Sequence, residues 1–274
     1  MTAESPSPAA SDAADASNDR SLAARGLRKS YARSEVLRGV DLDVRAGEIC
    51  FLLGINGAGK STLLGCLAGE VAFDAGAVLV GVDGQRVDLA AQPDRARSGM
   101  VALPQRPPLA PMLSPNEHFE AMAALRTLPA AAAQRFAAHA AALGIQAFLN
   151  SPCRTLSGGS QQKVGLALAM AVEAPIVLLD EPWTGLDILS ARALRQLLEA
   201  ERRRGAALLV ASHLPETAVQ LADRCLVLAG GRIACELDGP EMRGFAGDPA
   251  RFEAAVVAAM ARDGALTTGY ASGS

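Results

Sequence analysis

The chain has 274 residues and a mass of 28.2 kDa, with half its residues apolar and a fifth charged. This suits a folded protein of one large α/β domain or two small ones and excludes a wholly disordered chain. A net charge of −3 and a pI near 5.7 exclude a protein that coats nucleic acid by unspecific charge, although a local basic patch stays open.

Residues 1–20 are rich in Ala, Ser, Pro and Asp without periodicity, and read as a disordered acidic tail. They carry neither the basic region nor the apolar core of a signal peptide. Folded structure is expected from near Leu22. Val36–Val44 alternates apolar and polar residues as a strand does. Ile49–Leu53, Met100–Leu103, Ile176–Leu179, Leu208–Ala211 and Cys225–Leu228 are short continuous apolar runs, as expected of strands buried on both faces of a mainly parallel sheet. Helical patterns lie between them at Ser61–Ala68 and Leu189–Arg204, and the alternation predicts an α/β fold. From about residue 112 to 172 the sequence is Ala-rich with Leu, Phe and Met at helical spacing, which predicts an inserted helical subdomain. One further helix is expected over Ala250–Arg262, before a Gly/Ser/Thr-rich end expected to fray. The longest apolar stretch, Val164–Leu179, is broken by Glu173 and Pro175 and falls short of the roughly 18 residues that cross a bilayer. The five cysteines form no CxxC pair, which fits buried, reduced thiols of a cytosolic protein.

Two motifs carry chemistry. Gly54, Asn56, Gly57, Ala58, Gly59, Lys60, Ser61 and Thr62 lie in the pattern G-x-x-x-x-G-K-[S/T], between a predicted strand and a predicted helix. Glycines let the backbone fold into a nest of N–H groups that holds an anion, and the helix offers its positive N-terminus. Lys60 brings a cation to the β- and γ-phosphates, and the Ser61 hydroxyl is a ligand for Mg²⁺. The second motif is Ile176–Leu179 followed by Asp180 and Glu181, a buried strand that ends in two carboxylates. Ligands of parallel sheets sit beyond the carboxyl ends of the strands, so both acids are delivered to the same edge as the phosphate loop. Adjacent strand residues point to different faces. Asp180 is therefore assigned to Mg²⁺, and Glu181 to orienting and deprotonating water.

Leu156-Ser157-Gly158-Gly159-Ser160-Gln161-Gln162-Lys163 resembles the signature motif of ABC ATPases, about 20 residues before the Asp-Glu strand. The resemblance extends over residues 22 to about 235. It implies a P-loop ABC ATPase core with a mainly parallel sheet, an N-terminal antiparallel β part and an inserted helical subdomain. The implied division is a tail over 1–20, an ATPase domain over 21–240 with its helical part at about 106–172, and a C-terminal extension over 241–274 with one helix. Tyr31 matches the adenine-stacking aromatic, 29 residues before Lys60. Gln105 matches the Q-loop glutamine that reaches Mg²⁺ and water, Asp187 the D-loop, and His213 the H-loop histidine. Ser160 stands where the family most often has Gln, and Trp183 where it often has Thr. His118 and His139 match nothing and are expected at the surface of the helical region.

The same resemblance implies ATP and Mg²⁺ as cofactors. Ser157, Gly158 and Gly159 would close over the nucleotide held by a second copy of the chain, in a head-to-tail homodimer. It further implies a partner that is an integral membrane transporter subunit, and a place at the cytoplasmic face of the inner membrane. No nucleic-acid partner is expected. The alternative, a soluble mechanical ATPase acting on nucleic acid or the ribosome, lacks here both a long coiled-coil insertion and a second ATPase domain. Residues Ser160–Met170 look like those of ABC-2 exporters, which implies export of drugs, haem-type molecules, polysaccharides or lipids.

Overall fold

A computed structural model of the protein describes residues 21–32 and 34–262. The expected tail over 1–20 and the Gly/Ser/Thr-rich end lie outside the described residues.

The described residues build two sheets. The first is antiparallel, with strand order β2-β1-β4-β5. Its strands are β1 (Leu22–Tyr31), β2 (Ser34–Val44), β4 (Ala75–Val82) and β5 (Gln85–Asp88). Only β2 was recognisable from its own alternation. In β1 the pattern is interrupted: the pairing with β2 shifts register between Ala24 and Leu27, around Gly26 at φ +57°. Such a bulge breaks the period of two that sequence patterns rely on.

The second sheet has six strands in the order β10-β9-β3-β8-β7-β6. They are β3 (Ile49–Leu53), β6 (Met100–Leu103), β7 (Ile176–Asp180), β8 (Ala207–Ser212), β9 (Arg224–Ala229) and β10 (Arg232–Leu237). All pair in parallel except β10, which runs antiparallel to β9. The continuous apolar runs are explained by burial on both faces. Ile49, Phe51 and Leu53 enter one core, whereas Cys50 and Leu52 enter the other. The second core also receives Leu63, Leu64 and Leu67 of α1 (Lys60–Leu67) and the inner face of the antiparallel sheet.

The expected helical region is built from α3 (Pro115–Arg126), α4 (Ala131–Ala142) and α5 (Gly158–Ala171), with two 3₁₀ turns between α4 and α5. Ser114 starts α3 with a capping box: its hydroxyl accepts from Glu117 N, and the Glu117 carboxylate accepts from Ser114 N. The remaining helices of the described residues are α2 (Pro93–Ser98), α6 (Ile188–Arg203), α7 (Pro215–Leu221), α8 (Gly239–Gly244) and α9 (Pro249–Arg262). His139 departs from its expected surface position. It is half-buried, and desolvation holds its imidazole below the usual histidine range. Cys50, Cys66, Cys153 and Cys225 are buried free thiols and Cys235 is half-buried. Burial pushes Cys50 up to about 12 and Cys66 up to about 11, which leaves both unreactive at neutral pH.

Candidate functional site

Strand register places the chemistry. Leu53 of β3 pairs with Ser212 of β8, Asp180 of β7 with Ala211 of β8, and Leu103 of β6 with Leu179 of β7. The carboxyl ends of four neighbouring strands therefore form one edge. Gly54, Gln105, Asp180 and His213 all lie on it or one or two residues beyond it.

A cavity of about 550 Å³ opens there. It is lined by Tyr31, Asn56, Gly57, Gly59, Lys60, Ser61, Thr62, Gln105, Asp180, Glu181 and His213, together with Val36 and Ile55. Sequence reasoning missed the last two. They are apolar and carry no motif chemistry, and only the approach of β2 to the loop brings Val36 in. Gly54 and Ala58 stand behind the lining. A side chain at Gly54 would sit 2.7 Å from the Leu228 carbonyl and 3.2 Å from the Ala58 Cβ. Gly59 precedes α1 at φ +104°, a conformation open to glycine, and a Cβ there would meet Val36 at 3.0 Å.

Lys60 is buried, and its Nζ donates to the Gly54 carbonyl at 2.7 Å and the Ile55 carbonyl at 3.4 Å. These bonds curl the loop around the ammonium. Nζ also lies 3.6 Å from Glu181 Oε1. The other carboxylate oxygen of Glu181, Oε2, is 2.8 Å from His213 Nδ1. Glu181 thus links the phosphate-loop lysine to the histidine after β8.

Its direction has a cause other than strand alternation. The β7 strand ends at Asp180. Glu181 N still donates to the Ala211 carbonyl at 2.9 Å, but its backbone then turns left-handed, at φ +47°. For a residue other than glycine this costs about 1–3 kcal/mol, and such strain persists where the surroundings hold it. Asp180 continues the extended strand. Its carboxylate accepts a hydrogen bond from Ser61, and Oδ1 is buried without a hydrogen-bond partner. Desolvation raises the Asp180 pKa, the Ser61 hydrogen bond works against that rise, and the neighbouring Glu181 charge adds to it. An orphaned, desolvated carboxylate oxygen beside a hydroxyl suits a hard cation.

A model of the ABC transporter family matches residues 37–184, more than half the chain. The chain belongs to the ABC transporter ATP-binding family. It is 33% identical over 217 residues to the lipopolysaccharide export system ATP-binding protein LptB of Acidithiobacillus ferridurans, across 77% of this chain and 88% of that one. It is 37% identical over 231 residues to the hemin import ATP-binding protein HmuV of Streptomyces coelicolor, across 82% and 79%. Among solved structures, an ATP-binding subunit of an ABC transporter superposes with a TM-score of 0.77 at 29% identity, across 86% of this chain and 99% of that one. A dimeric ATP-binding cassette in a post-hydrolysis state with ADP and Pi superposes with a TM-score of 0.70 at 25% identity, across 80% and 98%. This is an ABC ATPase with the cassette fold.

Within the cassette, Ser157, Gly158, Gly159 and Asp187 stand apart from the cavity lining. Ser157 caps α5, its Oγ accepting from Ser160 N at 3.2 Å and donating to Ser160 Oγ at 3.0 Å. Serine in place of the common glutamine at 160 thus joins the cap. Asp187 caps α6 by accepting from Ser190 N at 2.8 Å and pairs with Lys163 Nζ at 2.5 Å. The Lys163 hydrogen bond, then the Ser190 backbone bond, hold this exposed carboxyl far below the usual carboxylate range. Asp187 therefore ties the signature helix to the loop before α6. Trp183 stacks on Phe51 with centroids 5.7 Å apart and packs onto the core.

The two loops meet at glycines. A Cβ on Gly159 would fall 2.4 Å from the Gly185 carbonyl oxygen, and Gly185 itself has φ +75°. Because the obstacle is backbone, Gly159→Ala must separate the loops. We expect a stability loss of about 1–3 kcal/mol, seen as an earlier urea midpoint with unchanged slope. A wild-type midpoint would contradict the close approach.

Proposed function

We propose that two copies of this cassette close head-to-tail around two ATP molecules and power transport, in the export direction, through a separate membrane-spanning subunit. The observation that carries this reading is the convergence of Lys60, Ser61, Asp180, Glu181 and His213 on one cavity. With it goes the position of Ser157–Gly159 at a separate, solvent-facing helix start. In this reading Lys60 and the loop N–H groups hold the phosphates, and Tyr31 stacks on the base. Glu181 orients water and takes its proton, and His213 fixes the Glu181 carboxylate. Gln105 reaches toward the metal and the attacking water. Asp187 serves the nucleotide at one remove, by holding the signature helix in place.

Ser61, Asp180 and Gln105 would hold Mg²⁺, a fit supported by the unpartnered Asp180 Oδ1. Held there, Mg²⁺ would supply positive charge against the bound phosphates. The N-terminus of α5, capped by Ser157, offers a second positive helix end to the γ-phosphate of the other copy. Ser157→Arg puts a bulky cation at this contact. The isolated chain should bind ATP as wild type does, while the ATP-dependent dimer disappears from size-exclusion profiles. Persistence of the dimer would overturn the in-trans arrangement.

Among the described residues no helix is long and apolar enough to cross a membrane. A transporter reading therefore calls for peripheral attachment, at the cytoplasmic face of the inner membrane. Export rests on the likeness of Ser160–Met170 to ABC-2 exporters; the relatives named above include one export and one import protein. The test is a pull-down of the Glu181→Gln chain with ATP from detergent-solubilised membranes. A multi-span partner is expected, and vesicles rebuilt with it give the direction of transport. Recovery of soluble proteins or nucleic acid alone would overturn the transporter reading and leave the ATPase.

A further inference from the structure

The catalytic reading gives no task to α9, although this helix is well packed. Its inward residues Phe252, Val256, Ala259 and Met260 follow helical spacing and are all buried. They share a core with Ala218 and Leu221, the buried residues of α7. Phe252 is fully buried and meets the Phe245 ring edge-on, with centroids 5.4 Å apart.

Helix α7 begins two residues after His213. It has seven residues, and no side chain caps its N-terminus at Leu214. So short a helix has little stability of its own and depends on what it packs against. His213 is half-exposed on its side-chain surface, and its Nδ1 meets Glu181 Oε2 at 2.8 Å. The ring therefore sits at the end of a rigid strand, β8, and at the start of a weak helix, α7. The strand fixes the residues up to Ser212, whose Oγ accepts from Leu214 N at 3.1 Å. The chain beyond His213 is held through the face α7 buries against α9.

We infer that α9, through Phe252, is a positioning element for His213: it clamps α7 and so keeps the imidazole in register with Glu181. The inference rests on the reading of Glu181 and His213 as the hydrolytic pair. Loss of the clamp shifts the ring by a fraction of its hydrogen-bond length. Misplacement of about 1 Å at a reacting centre costs up to about 10²-fold. The phosphate loop lies on another strand end, so nucleotide affinity should not follow.

The experiment measures ATP hydrolysis by the full chain carrying Phe252→Ala, alone and in a His213→Ala background. We expect kcat to fall about tenfold with Phe252→Ala, KM for ATP to stay within about twofold, and Phe252→Leu to restore most of the rate. In the His213→Ala background Phe252→Ala should cost nothing further, because the residue it positions is gone. Val256→Ala, a smaller cavity on the same helix face, replaces Phe252→Ala if that variant is recovered unfolded, with the same expectation at reduced size. A folded variant with wild-type kcat would overturn the inference, as would an equal fractional loss in both backgrounds or a matching rise in KM. A different result, wild-type kcat in His213→Ala itself, would overturn the hydrolytic pair and the inference with it.

Discussion

Glu181→Gln lowers kcat for ATP hydrolysis by about 10²–10⁴-fold, the range a positioned general base supplies. The substitution keeps the side chain's length and its capacity to hydrogen-bond His213 at 2.8 Å, but removes the proton acceptor. It also removes the negative charge 3.6 Å from Lys60 Nζ. Lys60 is buried, and relief of that pairing frees the ammonium for phosphate, so ATP affinity should hold or rise. Binding intact and chemistry blocked together trap the ATP-bound dimer, which size-exclusion chromatography with ATP resolves from monomer. The left-handed backbone of Glu181 makes the result specific to this side chain, since it is what turns the carboxylate toward Lys60 and His213. Phosphate release at more than a tenth of the wild-type rate would remove Glu181 as the base.

Arg224→Met destabilises the fold by about 3–5 kcal/mol, the cost of leaving a buried ion-pair partner alone. Arg224 opens β9 and is 3% exposed. Its Nη2 donates to Glu48 Oε1 at 2.6 Å and also to the Asp43 carbonyl, and its Nη1 donates to Glu236 Oε1 at 2.6 Å. Burial works against the charge, but the hydrogen bonds to Glu48 and Glu236 more than offset it and hold the guanidinium above its ordinary pKa. One side chain thus joins the end of β2, the turn before β3, β9 and the edge strand β10. It ties the antiparallel sheet to the parallel one. We expect Tm to fall on the order of 10 °C. Arg224→Met combined with Glu48→Leu should recover much of the loss, because apolar residues of similar volume often replace a buried pair without cost. If the double variant is less stable than Arg224→Met alone, the loss comes from packing rather than from an orphaned carboxylate.

The phosphate loop, the Asp-Glu strand end and the five central parallel strands were legible in the chain itself. Their signals are local. A strand buried on both faces must be apolar throughout, and an anion nest must be rich in glycine. The antiparallel strands β1, β4 and β5 and the edge strand β10 were not legible one by one. Register shifts break β1, Gly76 and Gly81 dilute β4, and β10 shows one exposed, polar-interrupted face. The bounds of the parallel strands fell within one or two residues because loops and helix caps follow them directly.

What the sequence alone determined was composition of function: which residues form the glycine-rich loop pattern, which carry acid, and which motif resembles an ABC signature. Those depend on residue type and on spacing within a few positions. What only the tertiary structure decided was aim and support. The bond of Glu181 N to Ala211, the pairing of Asp187 with Lys163 and the Val36 wall of the cavity each join elements that are separate in the chain. The clearest case is Arg224, whose partner Glu48 is 176 residues away. A buried charge is stable only beside its counter-charge, and no pattern within either segment announces the other, because the pairing exists only once β9 lies beside β3 in the parallel sheet.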